Sequence, residues 1–428
     1  MTGDGSRART APHAGRRPGR DATGNRGHAE LERGRRQLFD GPVGDARETL
    51  LLAASLLAAD APDRAEAARL CAVDAAWASG DVTLCLTTLD GTDTITTVTS
   101  ADALGAPTTD ARGAPAVDAH GASVTGGGGA GAADACGARA TGKDGAPATG
   151  RHGAPTVRDP DGRAPRGSAS LALPHPGGGR PESSGPGPGP GWARDPFLRD
   201  YRDGMRALLA RRPEDAAAPL RRVLERAGHG DRPERLLRAA AAALLLGDVH
   251  AARTAGARAL AAARTVECAA LEARALEYLA YGELRAGRHA QARAHAEEGV
   301  RAALTAGHRN TAASHHAMLA LAASIEGDTT AVAGYASAAL GTARPHGLTQ
   351  AATLAEWATA RADLARGRPL DAADRLGPLV TAGPRRGHFG VWMLAVPCYV
   401  EAAVLAGEPA SARRVVADLV RWAAFGAD

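Results

Sequence analysis

Aromatic side chains are scarce in this chain. Phe, Trp and Tyr make up 3% of its 428 residues, although 44% are hydrophobic. A core must therefore be built from Ala, Leu and Val. That argues against a β-sandwich or barrel, which draws on β-branched and aromatic residues. It favours closely packed helices, since Ala and Leu head the helix propensity order. Lysine is almost missing: Lys143 is the only one, so the other basic residues are all arginine. Against 47 acidic residues, the 51 basic ones leave a formal charge of +4 and a pI near 9.0. Such one-sided usage, beside abundant Ala, Gly and Pro, reads as compositional bias. The arginines are taken as solvated helix faces, and direct sequence-specific DNA binding is not expected of this chain.

Cysteines are few and single. Cys71, Cys85, Cys136, Cys268 and Cys398 form no CxxC and no close pair, which leaves neither a zinc site nor a disulfide framework. No apolar run reaches the roughly 20 residues of a membrane span. Leu236–Leu246 is broken by Arg238, and Met393–Ala406 contains Pro397 and Glu401. Met1–Gly27 is rich in Arg, Gly and Pro with no apolar centre, so no signal peptide is expected and 1–27 is read as disordered. A reducing cytoplasm is the expected location, with no membrane contact.

Residues 91–196 differ from the rest. Glycine and proline make up about a third of them but only about an eighth of the remaining chain. Asp102-Ala-Leu-Gly-Ala-Pro, Asp110-Ala-Arg-Gly-Ala-Pro and Asp118-Ala-His-Gly-Ala-Ser succeed one another at a step of eight residues. Such a stretch buries too little apolar surface to offset its chain entropy, so the composition predicts a disordered linker. Within it Gly137-x-x-x-x-Gly142-Lys143-Asp144 approaches a phosphate-binding loop. Asp144 stands where such a loop needs Ser or Thr for magnesium, and no strand precedes it. No nucleotide or other cofactor is expected.

The blocks 28–90 and 197–428 read as helical. Pro42 and Pro62 each precede a long Ala/Leu run, with Gly41 and Gly80 as helix-closing residues. The C-terminal block carries a repeat. Gly247, Gly287, Gly327, Gly367 and Gly407 are each 40 residues apart. Five residues after each glycine stand Ala252, Ala292, Val332, Ala372 and Ala412; seven before stand Ala240, Ala280, Ala320, Ala360 and Val400. Small residues at both places let two helices of a hairpin press together, and the glycine makes the turn between them. The pattern resembles tetratricopeptide hairpins with a lengthened period. It predicts an all-α superhelix with a concave groove, an α-solenoid of five hairpins in 233–428, a weaker one turning near Arg212-Pro213, and about two more in 28–90.

Longer strings resemble the regulatory arm of large LuxR-type transcriptional regulators, the maltose-regulator-like signal-transduction ATPases. These are Gly41-Pro-Val-Gly-Asp-Ala-Arg-Glu-Thr-Leu-Leu-Leu-Ala-Ala, Tyr201-Arg-Asp-Gly-Met-Arg-Ala, Leu276-Glu-Tyr-Leu-Ala-Tyr-Gly-Glu-Leu-Arg-Ala-Gly-Arg, Ala355-Glu-Trp-Ala and Gly387-His-Phe-Gly-Val-Trp-Met-Leu-Ala-Val-Pro. The resemblance covers 28–90 and 197–428. It implies an arm that senses an inducer or a partner. The family's ATP-binding module and its helix-turn-helix have no counterpart here: no phosphate loop survives, nothing matches the Thr-x-Arg-Glu start of the DNA-reading module, and the chain stops mid-repeat after Asp428. The chain is therefore read as a fragment or truncated product with no enzymatic activity. A free-standing repeat scaffold for protein–protein interaction is the alternative.

In the repeat register, groove-facing positions fall 13, 10, 6 and 3 residues before each turn glycine. They include Arg274, Glu277 and Tyr281 before Gly287, Trp357 and Arg361 before Gly367, and Glu401 before Gly407. Polar and aromatic groups mixed on one wall suit a small-molecule inducer or a protein partner. The competing reading has Tyr281 and Trp357 filling space between hairpins. His315-His316, His346 and His388 suggest a metal only weakly, because adjacent helical residues point about 100° apart. No metal site and no catalytic constellation are expected.

Overall fold

The computed structural model describes residues 18–91, 195–228, 230, 232–383 and 385–423. Residues 92–194 lie outside the described residues. They hold nearly all of the glycine- and proline-rich segment and the whole Gly137–Asp144 string. Among the described residues every regular element is α-helical, sixteen in number. They are α1 Pro18–Asp40, α2 Val43–Leu57, α3 Pro62–Ser79, α4 Val82–Asp90, α5 Pro196–Leu209, α6 Pro213–Ala227, α7 Pro233–Leu245 and α8 Val249–Thr265. They continue as α9 Ala269–Arg285, α10 His289–Thr305, α11 Arg309–Glu326, α12 Thr329–His346, α13 Thr349–Ala365, α14 Pro369–Val380, α15 Trp392–Leu405 and α16 Pro409–Ala423. The first helix starts at Pro18, so the expectation of disorder through 1–27 needs correction over 18–27. Gly27 explains part of this: a Cβ there would lie 2.8 Å from the Leu57 side chain, so the bare backbone allows α1 and α2 to close on each other.

Local chemistry accounts for the boundaries. Proline opens α3, α5, α6, α7 and α14, where a missing N–H costs nothing. All five glycines of the 40-residue column are left-handed, with φ of 77°, 73°, 82°, 71° and 83° from Gly247 to Gly407. The residue after each glycine sets how the next helix begins. After Gly247 and Gly327 comes aspartate. Asp248 and Asp328 accept from the backbone N–H of Ala251 and Ala331 at 2.8 and 2.9 Å, as N-caps. After Gly287 and Gly367 comes arginine. Arg288 and Arg368 instead reach back to Glu283 and Asp363, two carboxylates buried in the preceding helix.

Packing is set by the small-residue columns. Ala252, Ala292, Val332, Ala372 and Ala412 are all buried, as are Ala240, Ala280, Ala320 and Ala360, while Val400 is half-buried. Each helix packs on the next in sequence. Odd-numbered helices also touch one another: α7 with α9, α9 with α11, α11 with α13, and α13 with α15. The first four helices join this layer from the side, as α1 packs on α11, α3 on α13, and α4 on α5. Their buried residues therefore share cores with two successive stretches of the later helices. Leu38, Val43 and Ala75 pack with the α11–α13 cluster, and Cys85 and Leu89 with Phe197, Tyr201 and Met205.

A second turn column runs half a period out of step with the first. Gly307 and Gly347 are left-handed at φ 72° and 71°, and the equivalent place one repeat earlier holds Glu267 at φ 51°. A side chain in that region costs about 1–2 kcal/mol. The Glu267 side chain is exposed, so nothing else depends on it. Glu267→Gly should therefore stabilise the chain by about 0.5–1 kcal/mol after the added unfolded-state freedom of glycine is subtracted. Urea denaturation checks this: the midpoint should rise with the slope unchanged.

Candidate functional site

Residues of α3, α5, α7, α9, α11 and α13, together with the end of α1, line a partly open cavity of about 200 Å³. Each helix contributes residues one turn apart, as an amphipathic face requires. Helix α9 gives Arg274, Glu277, Tyr278 and Tyr281; α3 gives Cys71, Asp74, Trp77 and Ala78; α5 gives Tyr201 and Met205. Helix α7 adds Ala241, Leu244 and Leu245, α11 adds Ser314 and Met318, and α13 adds Gln350 and Leu354.

Charge in the wall is arranged in pairs. Arg274 donates to Glu277 at 2.7 Å, and its guanidinium lies 5.6 Å from the centre of the Tyr278 ring. Arg238, just behind the wall, donates to Asp74 at 3.4 Å and stands 5.4 Å over Tyr201. Burial alone would lower the pKa of both arginines. The facing carboxylates, Asp74 at Arg238 and Glu277 at Arg274, together with nearby phenols, more than offset this and raise them. Burial raises the Tyr278 and Tyr281 phenols, opposed by Arg274 and Arg285 respectively, so both stay protonated as potential donors near neutrality.

Polar contacts hold the first helices over the cavity. Asn310 donates through Nδ2 to the carbonyls of Leu38 and Gly41 at 2.8 and 2.9 Å. Those carbonyls belong to the end of α1, where a helix leaves acceptors without partners of its own. His346 Nδ1 lies 2.6 Å from Asn310 Oδ1, and since the amide oxygen can only accept, Nδ1 donates. Phe39 stacks on His308 with 4.2 Å between ring centres. Trp77 Nε1 donates to Gln350 at 3.2 Å, and the Trp77 carbonyl accepts from His388 Nε2 at 2.8 Å. His388 Nδ1 accepts from the Gly390 N–H at 3.1 Å, which fixes a neutral tautomer.

Of the residues singled out from the repeat register, Arg274, Glu277 and Tyr281 line this cavity. Trp357 and Arg361 sit together elsewhere, between α13 and α15: Trp357 Nε1 is 3.3 Å and an Arg361 terminal nitrogen 3.4 Å from Cys398 Sγ, and Arg361 Nε donates to Ser324 at 3.1 Å. Glu401 is exposed on α15. The histidines are dispersed. His315 is buried against the Ala273 carbonyl, His316 stacks on Tyr335, and among the described residues no group of three or more potential ligands could hold a metal. The register missed Asp74, Trp77, Tyr201, Tyr278 and Gln350. Tyr201 and Tyr278 do stand inside the strings Tyr201–Ala207 and Leu276–Arg288, which carry the family resemblance.

Comparison with protein-family models and with curated proteins yields no match for this chain.

These placements have consequences for stability. Trp357 packs between hairpins, so Trp357→Ala should cost about 3 kcal/mol and lower the melting temperature, as large-to-small core changes do. A circular-dichroism melt reads this directly. His315 and His388 are buried neutral, and burial pushes each imidazole down to about 4, against the bond each makes to a backbone carbonyl. Above pH 6.5 neither the folded nor the unfolded chain protonates them. Between 6.5 and 4 the unfolded chain takes up protons that the folded chain refuses, so stability falls with pH by roughly 1.4 kcal/mol per unit per histidine. His388→Gln can still donate to the Trp77 carbonyl without titrating. Denaturation at pH 7 and pH 5 should show a smaller acid loss for that variant than for the parent chain.

Proposed function

We propose that the chain is the ligand-sensing, non-enzymatic arm of a LuxR-type transcriptional regulator, working in the cytoplasm as a superhelix of tetratricopeptide-like hairpins. The observation that carries this reading is the cavity. Its wall is built from segments that carry the family resemblance. Glu277, Tyr278 and Tyr281 lie in Leu276–Arg288, Tyr201 and Met205 in Tyr201–Ala207, and Gly390 in Gly387–Pro397. A sensing arm needs a place where an inducer meets several helices at once, and seven helices line this cavity. No helix among the described residues is long and apolar enough to cross a membrane. ATP hydrolysis and DNA reading are assigned to other modules of such a regulator, not to these residues.

The alternative is a scaffold that holds an extended protein segment along the inner helices. The cavity favours a small molecule over that partner. A volume of about 200 Å³ is small for a peptide, and α1 and α3 already cover the inner faces of α11 and α13.

The test uses the purified chain and a mixed library of small metabolites and peptides, read by thermal shift. A ligand at a hundred times its dissociation constant stabilises by about 2.7 kcal/mol, a shift of several degrees. Ala241→Phe places a ring in the cavity. It should abolish the shift from small molecules while circular dichroism shows helix content retained. Shifts that survive Ala241→Phe, or shifts from peptides alone, would favour the scaffold.

A further inference from the structure

Resting on that reading of the cavity, a narrower question is which class of molecule its wall fits. Size gives a first bound. An apolar cavity of about 150 Å³ admits a benzene-sized guest, so about 200 Å³ admits a molecule only somewhat larger. The second bound is charge. Among the lining residues two carboxylates, Asp74 and Glu277, stand against two guanidiniums, Arg274 and Arg285, while Arg238 behind the wall pairs with Asp74. The interior is balanced. A guest with one net charge would leave that charge without a counterpart in a poorly solvated space, at a large desolvation penalty.

The third bound is the set of polar atoms that the protein leaves unused. Glu277 engages one nitrogen of Arg274, and among the described residues no other acceptor bonds that guanidinium, although it carries five N–H donors. Asp74 accepts through Oδ1 alone, over a long 3.4 Å bond, which leaves Oδ2 open. The Tyr278 hydroxyl makes no hydrogen bond among the described residues. These groups share one space, since Asp74, Arg274 and Tyr278 all line the same cavity. Beside them the wall is apolar, with Met205, Leu244, Leu245, Met318 and Leu354.

We infer that the cavity takes a small zwitterion of the α-amino-acid type with an apolar side chain. Its carboxylate meets the Arg274 fork, its ammonium meets Asp74 Oδ2, and its side chain lies among the methionines and leucines. Such a guest brings one charge of each sign, so both unused groups gain a partner and the balance of the interior is kept. A neutral polyol also keeps the balance but leaves the charge-assisted bonds unmade, and these are about twice as strong as neutral ones.

The experiment is calorimetric titration of the full chain with three matched sets. One is L-leucine, L-methionine and L-phenylalanine; the second is the corresponding amines without the carboxylate; the third is the corresponding acids without the amine. At least one amino acid should bind, and each of its single-charge analogues should bind at least tenfold more weakly. Asp74→Asn should weaken the amino acid at least tenfold while changing its deaminated acid less than twofold. If loss of the Asp74–Arg238 pair unfolds that variant, the analogue series on the parent chain still decides. An acid or amine that binds as tightly as its amino acid overturns the assignment, and so does an absence of binding by all three amino acids. The broader sensing reading fails separately. It stands if another class of small molecule binds and Ala241→Phe abolishes that binding, and it falls if no binding responds to Ala241→Phe.

Discussion

Close approach of helices over small side chains is the constraint on which this fold depends. With so few large residues available, the chain brings helix axes near enough for alanine and glycine to make contact, and leucines fill what remains. Several glycines mark the limit of that approach. A Cβ on Gly204 would stand 2.6 Å from the Leu220 side chain, and one on Gly256 would stand 3.1 Å from Leu279. At Gly299 the space is taken by the buried ring of His315. Interiors are packed to crystal-like density, so such positions have little freedom to change. The same constraint explains the rigid 40-residue step: a hairpin whose two contact columns must meet tolerates little variation in length. It also explains where the aromatic residues went. Three of the five tyrosines line the cavity, because a ring is too large for a helix crossing built on alanine but suits the space enclosed by several helices.

The turns were the most legible part of the fold, and for a backbone reason. A left-handed turn residue selects glycine, so the column from Gly247 to Gly407 stands out at the right period. The companion column is less regular. Glu267 stands in its first place, and of the glycines that follow at 40-residue steps Gly307 and Gly347 are left-handed while Gly387 is not. The start of α1 was illegible because its glycines and arginines carry no apolar periodicity, although Gly27 and Gly34 meet leucines of α2.

The candidate site was legible only where the register met a wall helix. Tyr281, Arg361 and Glu401 occupy one register position on three of the odd-numbered helices, yet they meet three environments. Tyr281 faces the cavity, Arg361 bonds Ser324 and lies against Cys398, and Glu401 is exposed. A repeat register states which face of a helix a residue occupies. It does not state what covers that face. Here the covering comes from α1 and α3, more than a hundred positions away from α9 in sequence and outside the register. Asp74 and Trp77 could therefore not be placed opposite Arg274 and Gln350 by periodicity.

That covering depends on contacts between helices far apart in sequence. The first helices are held to α11, α13 and the segment after α14 by a short set of polar contacts. They include Asn310 to the end of α1, the Arg309–Asp40 ion pair, Trp77 to Gln350, and His388 to the Trp77 carbonyl. Such bonds exchange against water and contribute about 1 kcal/mol each, so the closure they provide is modest. A guest in the cavity touches Asp74 and Trp77 on one side and Arg274, Tyr278 and Leu354 on the other. It gains all its contacts only while the two sides are together. A ligand shifts a conformational equilibrium by no more than its difference in affinity between the two states. The cavity therefore keeps its full lining only while α1 and α3 stay packed on α11 and α13.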